Sequence, residues 1–507
     1  MNYKSKKIIH PLLIAVFPVL FVYVNNIQEI EIQEIFMPLI LILGISIVIW
    51  ITLRIVLKNN VKSALLVSFF LALFFFYGHI YNLTNDLSIN DMDIGRHRYL
   101  IIPFLSVIVA GSYFFIRTKR KLDNVTTITN FIAITLIAIV IVDMIIYGVE
   151  NTITYDNILD VNAYENKIQV SQQLNFPDIY YIILDGYGGT SSLKETLGFD
   201  NNDFILFLKS RGFYIPKISY SNYPISPSSI AATLNMKYIN YLSNETDIKN
   251  LDLHPTLNLI KDNSVMKILR AKGYKIISFE SRLVSTNEMK NVDLHTCEDK
   301  SLLKNKLLNT VARTSMIGYF VEKWIHQDVR NTTLCTFSEL PNVMKIEEPT
   351  FAFAHIMSPH PPYLFGPNGE YVDPIRQEGL ETWENTEGYL NQLQFTNKKV
   401  KELIDKLLES EEKPIIIIQS DHGTGFSVNY KNPNENMVQQ RMSNFNAYYL
   451  PTIENPFPDN ITNVNSFRII FNAYFDDNYE LLDDKLYWNS YFQPYNFTDV
   501  TSIAKMN

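Results

Sequence analysis

Cysteine is scarce in this sequence: the 507-residue chain has only two, Cys297 and Cys335. Their spacing matches no zinc-binding pattern, because structural zinc sites place paired cysteines a few residues apart. In an oxidising compartment the two can form one disulfide bridge, which is the favoured prediction. Two free, buried thiols are the alternative. The sequence therefore excludes a cysteine-based zinc site.

An excess of positive charge is also lacking. The chain has a formal net charge of −8 at pH 7 and no basic stripe beyond short clusters. Proteins that bind nucleic acids need such a positive surface to hold phosphate groups. We therefore expect no nucleic acid as the main partner.

Long apolar runs, in contrast, fill the first third of the chain. Five segments stand out, at residues 8–24, 36–57, 64–81, 99–116 and 128–147. Each approaches the ~20 residues that cross a bilayer as a helix. A cleaved signal peptide would explain only the first segment, and no small-x-small cleavage site follows it. Residues 1–148 are therefore predicted to form a five-helix transmembrane domain.

Lysine and arginine determine the predicted orientation, because cytoplasmic loops are enriched in both. Basic residues precede the first segment and separate the second from the third and the fourth from the fifth: Lys4, Lys6, Lys7, Lys58, Lys62, Arg117, Lys119, Arg120 and Lys121. The other loops are acidic, apart from Arg96 and Arg98. The N-terminus is therefore expected in the cytoplasm of a multi-pass protein of the inner or cytoplasmic membrane. A linker or juxtamembrane segment at 149–176 would lead to a periplasmic or extracellular domain.

That outer domain, residues 177–507, alternates strand-like and helix-like segments. Strands are predicted near 178–184, 274–279, 350–357, 414–419 and 446–450, and helices near 204–211, 386–409 and 466–475. Such alternation indicates an α/β domain with a central, mostly parallel sheet. The aromatic tail after Tyr487 is predicted to be irregular.

Two of the predicted strands end in carboxylates. Asp185 precedes Gly186, and Asp421 and His422 precede Gly423. Ligands bind at the carboxyl ends of strands in open α/β sheets, so these side chains can converge there. Two carboxylates and one imidazole suit Zn²⁺ or Mn²⁺, with Mg²⁺ as a further candidate. Ordinary turns after each strand are the alternative.

Ser226 stands immediately before Pro227 at a predicted helix start. A helix N-terminus favours a bound anion such as phosphate. A serine bound to a metal there would have a lowered pKa and could act as an alkoxide nucleophile. The alternative role for Ser226 is a simple helix cap.

Two histidines follow a buried-looking strand, and three others, His254, His295 and His326, stand in no recognisable constellation. His360 lies in the proline-rich loop from Ser358 to Tyr363, where it could hold a phosphate oxygen or protonate a leaving alkoxide. His355 could assist it, or could be a hydrogen-bonded histidine of the core.

Together, these motifs resemble the alkaline phosphatase superfamily, in its sulfatase-like branch. The resemblance rests on the segments around Asp185, Ser226, His360 and Asp421, and it covers roughly residues 177–475. Five crossings before an outer catalytic domain also look like the lipoteichoic acid synthases and the lipid A phosphoethanolamine transferases. Those families move a phospho-group from a membrane phospholipid onto a hydroxyl acceptor.

The resemblance implies a role for each motif residue. Asp185 takes the place of the first acidic metal ligand, which is glutamate in those transferases. Ser226 takes the place of the nucleophile, which is threonine in the transferases and serine in alkaline phosphatases. Asp421 and His422 take the remaining ligand positions, and His360 matches a substrate-binding histidine loosely.

Two departures from the superfamily narrow the prediction. Many sulfatases convert a Cys or Ser in the pattern x-Pro-x-Arg to formylglycine, but no Ser or Cys here lies two residues before a proline. Two-metal phosphatases add an Asp-x-x-x-His ligand set, but residues 370–413 contain no histidine. We therefore predict serine chemistry on a phosphoester with a single metal.

The predicted mechanism uses one divalent ion, most simply zinc or manganese, bound by Asp185, Ser226, Asp421 and His422. Ser226 attacks the phospho-headgroup of a membrane phospholipid, and His360, with His355, protonates or stabilises the departing oxygen. A hydroxyl group on a lipid or glycan then accepts the phospho-group. The alternative is a membrane-bound phosphodiesterase or phosphatase with water as the acceptor. A non-catalytic scaffold and a transporter are weaker alternatives, because the motif is intact and the apolar segments carry few charges.

Overall fold

The computed structural model describes residues 7–84, 88–89, 92–93, 97–155, 176–245, 251–281, 286, 289–298, 301–374 and 382–504. The chain divides into two compact units. The first contains Met1–Asp156 and Lys300–Ile325, and the second contains Asn157–Asp299 and His326–Asn507. Of the predicted linker at 149–176, helix covers the first part to Tyr155, and residues 156–175 lie outside the described residues.

The secondary structure of the described part comprises long helices first and then alternating strands and helices. The helices are α1 (His10–Asn25), α2 (Phe36–Leu57), α3 (Asn60–Thr84), α4 (His97–Arg117), α5 (Asp123–Tyr155), α6 (Thr190–Leu197), α7 (Asn202–Ser210), α8 (Ser226–Asn235), α9 (Leu242–Glu245), α10 (His254–Lys261), α11 (Ser264–Ala271), α12 (Lys306–Arg313), α13 (Gly318–Glu339), α14 (Thr386–Leu407), α15 (Glu435–Met442), α16 (Ser466–Phe475) and α17 (Thr501–Ala504). The strands are β1 (Ser88–Ile89), β2 (Met92–Asp93), β3 (Ile179–Leu184), β4 (Ile218–Tyr220), β5 (Lys275–Phe279), β6 (Leu294–Thr296), β7 (Thr350–Ile356), β8 (Ile415–Gln419), β9 (Asn446–Tyr449), β10 (Asn460–Thr462), β11 (Tyr487–Ser490) and β12 (Gln493–Asp499).

The first unit contains the five predicted apolar helices, α1 to α5. In the part of the chain that is described, four of them are long and apolar enough to cross a membrane, and α1 is shorter at 16 residues. Large apolar side chains such as Ile40, Phe131 and Leu83 point outward and are exposed. Outward apolar faces suit a hydrocarbon surrounding, because lipid does not penalise them as water does. The predicted helical membrane domain is confirmed, while its orientation remains a prediction.

The second unit is an α/β domain, as predicted. Among the described residues, its main sheet has six strands in the order β6-β5-β7-β3-β8-β9. All neighbours in this sheet are parallel except β8 and β9. Strand β3 lies in the middle, with Tyr181 paired to Phe353 of β7 and to Ile417 of β8.

Apolar cores cover both faces of this sheet. Alternate residues of a strand point to opposite faces, so Ile179, Tyr181 and Ile183 of β3 join one core. The intervening residues of β3 join the core on the other face. A strand buried on both sides needs a continuous apolar run, which is why β3, β7 and β8 were recognisable from the sequence.

The tail after Tyr487 corrects one sequence-based expectation. It is not irregular, because β11 and β12 form an antiparallel hairpin followed by α17. Trp488 and Tyr495 on the two strands are buried. The turn residues, Tyr491 and Phe492, include none of the glycine or asparagine that usually marks a tight hairpin, so no turn signal was visible in the sequence.

The structure joins Cys297 to Cys335 by a disulfide, as predicted, with a Cα–Cα distance of 5.8 Å. Both cysteines belong to the second unit. Between them lies the segment Lys300–Ile325, which belongs to the first unit and which we call the strap. The strap departs from the predicted single range of 177–507 for the outer domain. Its helix α12 buries Leu307 and Val311 in the core of the first unit.

Candidate metal centre

The carboxyl ends of β3 and β8 and the start of α8 bring four predicted site residues together. We call this group, Asp185, Ser226, Asp421 and His422, the cradle. His422 Nε2 lies 3.1 Å from Ser226 Oγ, 3.3 Å from Asp421 Oδ2 and 3.7 Å from Asp185 Oδ1. One ligand atom from each of the two carboxylates and the imidazole lies within 4.8 Å of the others. All four side chains are buried.

Two carboxylate oxygens in the cradle have no hydrogen-bond partner among the described residues. They are Asp185 Oδ1 and Asp421 Oδ2, and both are shielded from solvent. A buried charged oxygen without a partner is costly, because it has lost its hydration without replacement. Two such oxygens within 4 Å of the same imidazole nitrogen are a strong indication of a cation-binding site. The residues present therefore fit a divalent metal ion.

The ring of His422 is held with its Nε2 lone pair towards the cradle. Its Nδ1 lies 2.9 Å from the carbonyl oxygen of Gly423, which can only accept, so Nδ1 carries the proton. Burial, and secondarily the positive charge of Arg441, lowers the pKa of His422 to about 4. The imidazole is therefore neutral near pH 7, which is the form that binds metals.

Asp185 is fixed from behind by a chain of buried side chains. We call this group, His355, Thr286 and Ser281, the support. His355 Nε2 lies 3.2 Å from Asp185 Oδ2, and Thr286 Oγ1 lies 3.0 Å from His355 Nδ1 and 2.6 Å from Ser281 Oγ. Because the carboxylate only accepts, His355 Nε2 donates to it and His355 Nδ1 accepts from Thr286.

The same surroundings keep Asp185 ionised. Burial alone would raise the pKa of the Asp185 carboxyl, but three surrounding imidazoles outweigh burial and hold that pKa below its ordinary value. One of the three is His355, whose second ring nitrogen is already occupied by Thr286. The geometry thus gives His355 a position behind the cradle, with no free nitrogen for a leaving group.

Ser226 is the first residue of α8, and Ile225 precedes it in an extended conformation. The hydroxyl of Ser226 does not cap the helix, because it is directed to His422 Nε2. Three residues further on, Ser229 Oγ donates to the main-chain oxygen of Asp421 over 2.6 Å and ties α8 to the β8 end. The start of α8 therefore presents the Ser226 hydroxyl to the cradle.

The open side of the cradle is formed by His360 and Trp383. His360 Nε2 lies 4.0 Å from Asp185 Oδ1, and about a quarter of the His360 side chain (26%) is exposed. Its ring contacts Trp383 edge-on, with 5.0 Å between ring centres. A Cβ atom at Gly186, where φ is +67°, would lie 2.7 Å from the Trp383 ring, so only glycine fits there.

Gly423 explains the end of the Asp-His-Gly motif. A Cβ atom there would lie 2.2 Å from the carbonyl oxygen of Gln440 and 2.3 Å from that of Ser443. Its own N–H donates to the carbonyl oxygen of Arg441 over 2.7 Å. The close approach brings the last turn of α15 against the cradle.

Arg441, in that last turn, is a site residue that the sequence reasoning missed. It is only 2% exposed, and it donates from Nε to the Pro224 carbonyl over 2.6 Å and from Nη1 to the Gly423 carbonyl over 3.2 Å. In the described part of the chain it has no carboxylate partner, although buried guanidinium groups are normally paired. No spacing pattern marks it, because a single arginine in a polar helix resembles a surface residue.

The structure thus brings together all six predicted site residues: Asp185, Ser226, His355, His360, Asp421 and His422. Their assignment as ligands or catalytic groups remains a prediction. The histidines set aside in the sequence lie elsewhere; His254, for example, pairs with Asp252 at 2.6 Å.

Comparison with known protein families identifies the outer domain. A family model described as Sulfatase matches residues 210–458, a range that contains Ser226, His355, His360, Asp421 and His422. Residues 210–458 therefore match the sulfatase family of enzymes, and the predicted resemblance to the sulfatase-like branch of the alkaline phosphatase superfamily is confirmed. No curated protein sequence matches the chain.

Several solved structures are similar to this chain at low identity. The C-terminal periplasmic domain of EptC from Escherichia coli has a TM-score of 0.41 and 12% identity, over 65% of this chain and 94% of that one. The phosphoethanolamine transferase EptA from Neisseria meningitidis, an integral membrane protein, has a TM-score of 0.35 and 11% identity, over 87% and 88% of the two chains. Similarities this remote carry no argument about the activity of the present chain.

Proposed function

We propose that this chain is a metal-dependent phospho-group transferase of the cell envelope. Ser226 would take a phospho-headgroup from a membrane phospholipid and pass it to a hydroxyl group on a lipid or glycan. The observation that carries the proposal is the position of the Ser226 hydroxyl, 3.1 Å from His422 Nε2 and beside two buried carboxylate oxygens without hydrogen-bond partners.

The cradle would hold one divalent ion through Asp185, Asp421, His422 and Ser226. The mixed oxygen and imidazole ligands favour zinc or manganese, with magnesium as a further candidate. When bound, the ion would lower the pKa of the Ser226 hydroxyl and neutralise the charge of the phosphoryl oxygens. The buried, unpaired oxygens of the two aspartates support this assignment, because only a cation would compensate both.

In the first half-reaction, Ser226 Oγ attacks phosphorus and forms a new O–P bond. The bond between phosphorus and the glycerol oxygen of the lipid breaks, and diacylglycerol leaves. His360, on the open side of the cradle, gives a proton to the departing oxygen. The hydroxyl proton of Ser226 passes to solvent in this step, and Ser226 carries the phospho-group afterwards.

In the second half-reaction, a hydroxyl acceptor attacks the phosphoserine from the open side. His360 takes the proton of that hydroxyl, and Ser226 regains a proton from solvent as its bond to phosphorus breaks. Arg441 has one guanidinium nitrogen, Nη2, beyond those bonded to main-chain carbonyls, and it can hold an anionic oxygen of the transferred group. His355 contributes by fixing Asp185.

Phosphate chemistry is favoured over sulfate chemistry by the nucleophile itself. Ser226 lacks the sequence context for conversion to formylglycine, so its unmodified hydroxyl is the available nucleophile. A lipid substrate is favoured by the first unit, whose apolar helices exceed what a simple anchor needs. The proposed topology places the N-terminus in the cytoplasm and the catalytic domain on the periplasmic or extracellular side, as the loop charges predict.

Mass spectrometry of Ser226 tests the proposal directly. The full chain is incubated with membrane lipids and a divalent metal and is then digested, and we expect an added mass on the Ser226 peptide that names the transferred group. Ser226→Ala should show no adduct. Ser228→Ala is the matched control, because Ser228 lies in the same helix turn and contacts Asn489 instead of the cradle. If Ser226 remained unmodified, or if Ser226→Ala retained turnover, Ser226 would not be the nucleophile.

A second measurement distinguishes a hydrolase, which uses water as the acceptor, from a transferase. If the chain is a hydrolase, labelled headgroup phosphate appears in solution even when a hydroxyl acceptor lipid is supplied. A transferase places the label on the acceptor.

A further inference from the structure

In sequence, the strap interrupts the catalytic domain. In the structure, it packs with the apolar helices of the first unit. Leu307 and Val311 of α12 lie in the core of the first unit together with Ala15 and Val19 of α1. These side chains are fully or almost fully buried. The strap is therefore an integral part of the membrane unit.

Hydrogen bonds fix the strap to the 3-10 helix Ile32–Ile35 before α2 and to α3. Asn305 Nδ2 donates to the main-chain oxygen of Glu34 over 3.0 Å, and the backbone N–H of Lys306 donates to the Glu34 carboxylate over 2.6 Å. The backbone N–H of Met316 donates to the carbonyl oxygen of Phe74 over 2.9 Å.

Two further contacts show how closely the strap fits. A Cβ atom at Gly78 of α3 would lie 2.2 Å from the Thr314 carbonyl oxygen, so only glycine allows this approach. The ring of Tyr319 lies 5.4 Å from that of His97, the first residue of α4. Consecutive helices run in opposite directions, so the end of α3 and the starts of α2 and α4 lie at one end of the bundle. The loop charges predict that this end is extracytoplasmic.

Four large apolar side chains are exposed on the outward side of the strap. Leu302, Ile317, Phe320 and Trp324 are 62%, 45%, 61% and 66% exposed. Phe320 and Trp324 are four residues apart in α13, so they project from the same helix face. Other large apolar side chains at the same end of the bundle are also exposed: Phe36, Leu83 and Ile102.

We propose that the outward face of the strap lies in the interfacial layer of the outer membrane leaflet, with Phe320 and Trp324 inserted among the lipids. The occupant of this face is lipid, because the face continues the outward apolar surface of the membrane-spanning helices to which the strap is bonded. Aromatic residues, tryptophan above all, are favoured at the boundary between headgroups and acyl chains. The chain is then attached to the membrane at a second point, far along the sequence from α5.

Spin labels test the proposal in the full chain. Both native cysteines are in the disulfide, so a cysteine introduced by Phe320→Cys or Trp324→Cys is the single site for labelling. The protein is reconstituted into vesicles of phosphatidylglycerol and phosphatidylethanolamine. At both positions we expect the label to collide more often with dissolved oxygen, which concentrates in lipid, than with a water-soluble nickel chelate.

Leu206→Cys is the matched control, because Leu206 is apolar, 65% exposed and on α7 of the catalytic domain. Its label should favour the nickel chelate. Strap labels that behave like the Leu206 label would place the strap in water and overturn the proposal. Strap labels that neither reagent reaches would mean that protein, such as a second copy of the chain, covers the face, and would overturn it equally. Because both substituted side chains are exposed, neither change removes core packing.

Discussion

The two carboxylate oxygens of Asp185 lie in opposite surroundings. Oδ2 accepts a hydrogen bond from the support, where each polar atom of the His355 ring has a partner. Oδ1 faces the cradle, where Asp421 Oδ2 and the His422 lone pair add further electron-rich atoms. One oxygen of the carboxylate thus has a hydrogen-bond donor from the protein, whereas the other has none and can bind a cation.

This contrast separates two histidines that the sequence could not distinguish by type. His355 and His422 are both buried and both adjacent to Asp185. The partners of the ring nitrogens give His355 a positioning role, whereas His422 directs Nε2 to the Ser226 hydroxyl inside the cradle. Function at this site therefore depends on which polar atoms the fold leaves without a partner. The following predictions test that distinction, from the largest effect to the smallest.

Asp421→Asn should have opposite effects on activity and on the stability of the metal-free protein. The amide oxygen of the variant can keep the two hydrogen bonds that Asp421 Oδ1 accepts from the backbone N–H groups of Gly186 and His422. The amide nitrogen, in place of Oδ2, could then donate to His422 Nε2, which replaces a repulsive contact. We expect the metal-free protein to gain about 1 kcal/mol in unfolding free energy, while turnover falls about a thousandfold.

Thermal unfolding with and without a chelator, together with metal analysis, measures both effects. The native protein should lose about 4 kcal/mol on chelation if metal had been present at a thousand times its dissociation constant, and Asp421→Asn should lose almost nothing. Asp252→Asn is the matched control, because Asp252 is buried but already accepts two hydrogen bonds from His254. If metal-free Asp421→Asn were less stable than the metal-free native protein, the contact between Asp421 Oδ2 and His422 Nε2 would not be repulsive, and the prediction would be wrong.

His355→Ala should weaken metal binding without abolishing the nucleophile. The substitution removes the donor that orients Asp185, and outer-shell partners of this kind typically contribute about 10- to 100-fold in metal affinity. Excess metal should restore much of the turnover. If His355 instead protonates the leaving group, saturating metal would restore none of it, and phosphoserine formation would stay slow.

Arg441→Gln should raise the KM for an anionic donor lipid by about 30-fold, since a hydrogen bond to a charged group contributes ~2 kcal/mol. Metal content should be unchanged. Arg468→Gln is the control, because Arg468 also donates from its guanidinium to main-chain carbonyls, those of Met236 and Glu480, but lies away from the cradle. Equal effects of both substitutions on KM would mean that Arg441 is only structural.

Thr286→Val should have the smallest effect. It keeps the shape of the side chain but removes the hydroxyl between Ser281 and His355. We expect about a fivefold loss of metal affinity, corresponding to one hydrogen bond of ~1 kcal/mol. Titration of the metal-free protein with zinc would measure it, and an effect as large as that of His355→Ala would mean that the hydroxyl has a second role.

The central strands and the acidic residues that follow them were predictable because each is marked by a pattern of neighbouring residues in the sequence. A strand buried on both faces must be a continuous apolar run, and an acid directly after such a run is conspicuous, as at Asp185 and Asp421. Parallel strands end at one edge, so the sequence also indicated that these residues meet. Helix α16 was predicted with the same limits, 466–475, as the structure has.

The residues that the sequence did not reveal depend on distant contacts. Thr286 and His355 are hydrogen-bonded although they lie 69 residues apart in the sequence, and no sequence pattern predicts their contact. The roles of Arg441 and Trp383 are visible only from their contacts in the structure, with main-chain carbonyls for Arg441 and with the His360 ring for Trp383. The strap looks like any short amphipathic helix in sequence, because local periodicity tells which face is buried but not what covers it.

The disulfide between Cys297 and Cys335 has a consequence for how the chain responds to proteases. The bridge joins the two sequence positions between which the strap leaves and returns. A protease that cuts within the strap therefore produces a nicked molecule whose two fragments stay covalently connected. Only reduction would release them, so a nicked protein should migrate as one band on a gel without reducing agent and as two with it.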